Sequence, residues 1–257
     1  MGVVNVTPDS FSDGGRYART EDAVRQGIRL AEEGADIVDV GGESTRPGSD
    51  PVSEQEELDR VAPVVEALAR KVDARISVDT YKPRVAEECL ARGATLVNDV
   101  TGLSDPEMVR VAKAGGAGVV VMHMRGRPKT MQQDVAYDDV VGEVRTFLAE
   151  RAERARSAGI DEVIVDPGIG FGKTAEHNFE LLARIQELAT LGYPVLVGPS
   201  RKAFLGSLAS KLAPSERLEG TLAAVALAAW NGASIVRVHD VLQARRVVEV
   251  VDAVRGA

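Results

Sequence analysis

Gly34-Ala35-Asp36-Ile37-Val38-Asp39-Val40 recurs as Gly93-Ala94-Thr95-Leu96-Val97-Asn98-Asp99-Val100, and again as Gly232-Ala233-Ser234-Ile235-Val236-Arg237-Val238-His239. A looser copy is Gly116-Ala117-Gly118-Val119-Val120-Val121-Met122-His123. Each glycine reads as the left-handed end of a helix, and each β-branched run as the strand that follows it. Helix, tight turn and continuously apolar strand form the repeating unit of a parallel sheet covered on both faces.

Runs of this kind predict strands near Gly2–Val6, Ile37–Val40, Ile76–Asp79, Leu96–Asp99, Val119–His123, Val163–Asp166, Val195–Val197 and Ile235–Val238. Amphipathic stretches between them predict helices over Thr20–Glu33, Ser53–Lys71, Pro83–Arg92, Asp105–Ala114, Tyr137–Ala158, Ala175–Leu191, Ser215–Trp230 and Val241–Val254. Ser53 with Glu56 three residues on, and Ser104-Asp105-Pro106, read as helix starts. Eight strands alternating with helices imply an α/β fold closed as a (β/α)8 TIM barrel, with an open doubly wound sheet as the competing arrangement. The chain of 257 residues has the length of one such barrel, about 250 residues, so residues 1–257 read as a single domain.

The charge balance of 31 basic and 39 acidic residues, net −8, argues against non-specific nucleic-acid binding but leaves room for a local cationic site. The apolar run Met1–Thr7 stops at Pro8-Asp9, far short of the roughly 20 residues that span a bilayer. A soluble cytoplasmic protein without a membrane partner is the expectation. The single cysteine, Cys89, excludes an intrachain disulfide and reads as a buried thiol on a helix.

Strand-to-helix loops are long after the first strand (Thr7–Arg19), the second (Gly41–Val52) and the fifth (Met124–Ala136). In a β/α barrel these loops build the active-site face. Side chains alternate along a strand, so positions five and seven after the repeat glycine share a face. They are Asp39 and Gly41, Asn98 and Val100, Val121 and His123, and Arg237 and His239. Asp79 and Asp166 occupy similar strand ends. Polar groups converging on one mouth are costly to leave unpaired, which points to a polar ligand. Asp79, Asn98 and Asp166 suit a heterocycle with adjacent N–H donors. Lys202, Arg237 and His239 suit phosphate and ring oxygens. Ser200-Arg201-Lys202 lies where the seventh strand is expected to enter a helix, a setting that favours an anion. Arg201 and Lys202 also fit a plain solvated helix start. Gly168-Ile169-Gly170-Phe171-Gly172-Lys173-Thr174 imitates a phosphate loop, but Pro167 stands where that motif needs its first glycine. His123, His177 and His239 lack zinc-site spacing, and His177 reads as an exposed helix-start residue.

Two loops are specific. Asn5-Val6-Thr7-Pro8-Asp9-Ser10-Phe11-Ser12-Asp13-Gly14-Gly15 and Gly41-Gly42-Glu43-Ser44-Thr45-Arg46-Pro47-Gly48 resemble the first and second loop signatures of the dihydropteroate synthase family of pterin-binding barrels. Ser77-Val78-Asp79-Thr80, Asn98-Asp99, Met122-His123-Met124, Asp166-Pro167-Gly168, Ser200-Arg201-Lys202 and Arg237-Val238-His239-Asp240 follow in the family's order.

The resemblance implies condensation of 6-hydroxymethyl-7,8-dihydropterin diphosphate with p-aminobenzoate, releasing diphosphate, in folate synthesis. It implies that Asp79, Asn98, Asp166 and Lys202 hold the pterin. Asn5, Arg237 and His239 would hold the diphosphate, with Asn5 as the protein's Mg²⁺ ligand. Thr45 would contact the diphosphate side, while Phe11, Arg46 and Pro47 help close over p-aminobenzoate. Ser200 and the helix start after it would lie near that substrate's carboxylate. A homodimer is also implied, with the alanine-rich stretch Leu222–Trp230 as a candidate interface. Family members usually carry residues before the first strand that cover the barrel bottom, whereas this sequence opens at Met1-Gly2. They also often carry serine where Ala203 stands, and Ala203 offers a carboxylate only its backbone N–H. A pterin-dependent methyltransferase would have no use for Asn5, Arg237 and His239 together. A non-catalytic pterin-binding paralogue would keep the fold without turnover.

Overall fold

The computed structural model describes residues 1–7, 16–45, 48–126, 129–132, 135–207 and 212–257, with the backbone alone for 16–19. Among these, eight strands alternate with helices. In order they are β1 (Gly2–Asn5), α1 (Arg16–Glu32), β2 (Ile37–Gly41), α2 (Glu54–Ala69), β3 (Arg75–Asp79), α3 (Pro83–Leu90), β4 (Leu96–Asp99), α4 (Pro106–Ala114) and β5 (Gly118–Met122). There follow α5 (Val140–Ser157), β6 (Val163–Asp166), α6 (Ala175–Ala183), α7 (Ile185–Ala189), β7 (Leu196–Val197), α8 (Leu218–Trp230), β8 (Ile235–Val236) and α9 (Val241–Arg255). Strands β1 to β6 neighbour one another in chain order, and β7 pairs with β8, all in parallel. Bridges Val165↔Val195 and Gly2↔Val238 join the two groups. Across the second, the Val3 N–H donates to the Val238 carbonyl at 3.1 Å. The sheet is therefore a closed barrel and not an open one.

Local chemistry explains the elements. Gly34, Gly93 and Gly232 sit at φ of 93°, 105° and 99°, a region that costs a side chain dearly, so each ends one helix and releases the next strand. Ser53 accepts the Glu56 N–H at 3.2 Å at the head of α2, and Asp105 accepts the Glu107 N–H at 2.9 Å before Pro106 opens α4. Such caps are worth about 1 kcal/mol each.

The strands bury both faces, as their unbroken apolar runs require. One face meets in the barrel interior, where Met1, Ile37, Leu96, Val120, Ile164 and Leu196 form one buried cluster with Ile235 against it. The other face packs on the helices; Val38, Val78, Val97 and Val119 cluster there with Val61, Val65, Val85 and Val111. Fully burying each of these side chains contributes roughly 1.5–3 kcal/mol. Cys89 is buried among them, and burial pushes its thiol up to about 12. Among the described residues no helix is long and apolar enough to cross a membrane.

Four expectations change. Helix α1 begins at Arg16, ahead of Thr20. The stretch Ala175–Leu191 breaks at Arg184, whose φ of −117° and ψ of 24° leave the helical region. A single 3-10 turn, Pro214–Glu216, precedes α8, which begins at Leu218 and not Ser215. The fourth change concerns β5. Asn98 registers with Val120 and Asp99 with Val121, so the looser repeat copy runs one residue out of phase with the others. A slip of one residue exchanges the two faces of a strand. His123 consequently points outward, its ring 5.0 Å from that of Phe147 on α5.

Candidate active site at the strand ends

The register that turns His123 away gathers the other polar strand residues. Asp39 pairs with Ser77, Gly41 with Asp79 and with Asn5, Asp79 with Asn98, and Met122 with Asp166. Asn5, Asp79, Asn98 and Asp166 thus stand on the inward face at the C-terminal end of the barrel. Arg237 joins them just past β8, where its N–H donates to the Val197 carbonyl at 2.9 Å.

A charge-assisted chain crosses this mouth. Arg237 donates from Nε to Asp39 Oδ2 at 2.6 Å and from Nη2 to Asp79 Oδ2 at 2.7 Å. Asn98 Nδ2 donates to the same Asp39 oxygen at 3.1 Å. Asp39 is fully buried, and among the described residues its other oxygen has no hydrogen-bond partner. Burial works against the Arg237 charge, but Asp39 and Asp79 outweigh it and hold its pKa above the ordinary guanidinium range. Burial likewise pushes the Asp79 carboxyl up to about 7 against the opposing pull of Arg237. Asp166 is also raised by burial and accepts the Gly168 N–H at 2.7 Å.

Lys202 completes the inner group. Its Nζ lies 3.8 Å from the centroid of the Phe171 ring, a cation–π contact that holds the side chain over the loop after β6. Burial presses its ammonium down to about 7, with Asp166 opposing that shift. Asp39, Asp79 and Asp166 thus stand with Arg237 and Lys202 in a mostly buried mouth, where opposite charges are matched. Such a pocket binds a polar ring through directed hydrogen bonds and keeps cations free of bulk water for an anionic group.

Ser200 and His239 form a second pair: Ser200 Oγ and His239 Nδ1 are 2.9 Å apart, and the His239 N–H donates to Ser200 Oγ at 3.2 Å. The hydroxyl is engaged by His239. After Lys202 the chain makes only a 3-10 turn, Ala203–Gly206, so the expected α-helix start is absent there. Arg201 is a structural residue: at φ 59° its guanidinium grips Asp240 with two bonds, at 3.1 and 2.7 Å.

Thr45 is half-buried on the loop after β2, while Phe11, Arg46 and Pro47 lie outside the described residues. The base of that loop is tied by Lys82, which donates to Glu43 at 2.6 Å, to Glu57 at 2.5 Å and to the Val52 carbonyl at 2.8 Å. His177 does begin α6, but it shares a capping box with Thr174 and packs at 5.1 Å against Tyr137, so it is only half exposed.

Two residues and one partnership escape a reading of the sequence. Asp39 falls on the right face by the repeat parity, but its grip on Arg237 spans 198 residues and leaves no local trace. Phe171 is hidden in the loop that imitates a phosphate motif. Met122 takes the inward position that the phase of the looser repeat gave to its neighbour His123.

A family model described as "Pterin binding enzyme" matches residues 1–239. The chain is 49% identical over 259 residues to the dihydropteroate synthase of Escherichia coli strain K12, covering 100% of this chain and 92% of that one. A Xanthomonas albilineans dihydropteroate synthase solved with 4-aminobenzoic acid superposes with a TM-score of 0.94 at 47% identity, over 100% of this chain and 93% of that one. The same organism's enzyme in complex with 7,8-dihydropteroate gives a TM-score of 0.90 at 45% identity, with the same coverage.

Proposed function

Because the chain belongs to the pterin-binding enzyme family, we propose that it condenses 6-hydroxymethyl-7,8-dihydropterin diphosphate with p-aminobenzoate, giving 7,8-dihydropteroate and diphosphate in folate synthesis. The observation that carries this reading is the single mouth shared by Asp79, Asn98, Asp166 and Lys202 on one side and Arg237 on the other, with His239 two residues further along the chain. The first four suit the pterin, whose N–H edge matches carboxylate and amide acceptors. Arg237 and His239 suit the diphosphate, with Thr45 on that side. The Asp79–Arg237 pair at 2.7 Å sets the two halves next to each other, as one substrate carrying both groups requires.

In the reaction the amine nitrogen of p-aminobenzoate bonds to the pterin methylene carbon. The C–O bond to diphosphate breaks, the leaving group keeps the electron pair, and the amine proton passes to solvent. The dihydropterin ring donates electrons to that carbon, so bond breaking can run ahead of attack. An aromatic amine is neutral at pH near 7 and needs no strong base. The protein's task is then to stabilise departing negative charge by fixed donors in a dry site. Arg237 is well suited, because Asp39 orients it beforehand. Phe11, Arg46 and Pro47 would close over p-aminobenzoate, and Ser200 would lie near its carboxylate.

Mg²⁺ is part of the proposal. Asn5, which registers with Gly41 at the end of β1, carries one hard amide oxygen, and among the described residues no group of three His, Cys, Asp or Glu could hold a metal. That donor set fits a magnesium ion bound chiefly through substrate phosphates, where it would neutralise leaving-group charge. A cytoplasmic homodimer completes the reading. Its support is an apolar face on packed helices α8 and α9, where Leu227, Trp230, Val250 and Val254 are all more than half exposed.

The test is incubation with the dihydropterin diphosphate, p-aminobenzoate and Mg²⁺. Formation of dihydropteroate and diphosphate in equal amounts is expected, and loss of both on chelation. No product with a folded protein would overturn the proposal.

A further inference from the structure

Lys173 is 3% exposed, and among the described residues no carboxylate lies within ion-pair distance of it. A buried amino group in that position is costly unless hydrogen bonds replace its water. Here they do: Nζ lies 3.0 Å from His123 Nδ1, 3.4 Å from the His123 carbonyl, 3.1 Å from the Gly168 carbonyl and 3.0 Å from the Phe171 carbonyl. Its partners are thus the end of β5 and the backbone of the loop that follows Asp166. Burial presses the Lys173 ammonium down to about 7, and burial also lowers His123 to about 3. The neutral imidazole can accept at Nδ1 with its proton on Nε2.

We propose that Lys173 is a positioning residue of the pterin pocket, setting the Gly168–Phe171 loop and, through it, Asp166 and Lys202. Both links are a single step long. Gly168 gives its carbonyl to Lys173 and its N–H to Asp166 Oδ1 at 2.7 Å. Phe171 gives its carbonyl to Lys173 and its ring face to Lys202 at 3.8 Å. The loop has little freedom to find this shape by other means. Gly168 adopts φ 65°, and a Cβ there would lie 1.9 Å from the His123 carbonyl oxygen, so backbone meets backbone with no side chain between them. Asn178 and Tyr137 fix the Gly170 N–H and the Gly172 carbonyl at 2.6 and 2.8 Å, while Lys173 takes the Phe171 carbonyl and shares the Gly168 carbonyl with the Phe171 N–H, which donates to it at 3.0 Å. A methionine would fill the space without the cost of burying a charge, but it could not hold these carbonyls.

The proposal rests on the pterin reading of the pocket, so its test separates the two. Affinity for 6-hydroxymethylpterin is measured by calorimetry in the full chain and in Lys173→Met, Lys202→Met, their double variant and Asp166→Ala, after thermal melts establish folding. Lys173→Met is expected to weaken binding about tenfold, and to cost measurably less once Lys202 is already methionine, because part of its effect acts through Lys202 and the rest through Asp166. Should the methionine variant fail to fold, Lys173→Gln keeps one donor and is expected to show an intermediate loss with the same coupling. Unchanged affinity, or an identical loss with and without Lys202, would overturn the proposal if Asp166→Ala still weakens binding. Unchanged affinity in Asp166→Ala as well would instead overturn the pterin reading on which it rests.

Discussion

Asp39 shows what a single buried carboxylate does in this barrel. With no exposure to solvent, it binds Arg237 and Asn98 through the same oxygen, so two inward residues owe their direction to a third. A buried pair of this kind is poor evidence for net stability, since desolvation consumes most of the attraction, but it fixes geometry. His123 makes the opposite use of burial. Its ring is held neutral, with its pKa lowered to about 3 first by burial and then by the Lys173 charge. The unfolded chain therefore binds the proton first as acid is added, so stability present above about pH 6.5 is lost as pH falls toward about 3, by up to about 1.4 kcal/mol per unit. Urea midpoints taken from neutral to mildly acidic pH should fall more steeply in the wild type than in His123→Asn. Parallel curves for the two would contradict this account.

At the scale of elements, the strands are legible in the sequence because a parallel sheet covered on both faces demands unbroken β-branched runs, and the helix ends because only glycine relaxes into the left-handed turn. Phase is harder to read. The copy at Gly116 shares with the others the glycine, the alanine after it and the valine four residues on, yet β5 pairs one residue out of step, and only the neighbouring strand decides that. The break at Arg184 and the 3-10 turn after Lys202 were likewise invisible, since both depend on tertiary contacts and not on local propensity. Of the site, Asp79, Asn98, Asp166, Lys202, Arg237 and His239 could be located from strand ends and motifs, whereas the partnerships among them could not. Helices α8 and α9 carry an element-scale prediction. Trp230 is 53% and Val250 65% exposed, and apolar residues gathered on one face mark a protein–protein contact. If the proposed homodimer forms through this face, Trp230→Glu should shift sedimentation toward the monomer, and a monomeric wild type would contradict that proposal.

For the molecule as a whole, barrel closure is what turns scattered residues into a site. Val3 meets Val238 across the seam between β1 and the chain following β8, which brings Arg237 from the last repeat against Asp39 and Asp79 from the second and third strands. Acids and bases from distant parts of the chain then meet at one end of the barrel, while Met1, Ile37 and Leu196 fill its interior below. Arg237 is bound in advance to the carboxylate that the pterin would use, so ligand binding must share Asp79 with it. The measurement that bears most directly on this account is the affinity of 6-hydroxymethylpterin for the wild type, Asp79→Ala and Asp166→Ala by titration calorimetry. Each alanine is expected to weaken binding by about 2–3 kcal/mol, the loss of a charge-assisted hydrogen bond. Wild-type affinity in both folded variants would place the pterin elsewhere and contradict the account.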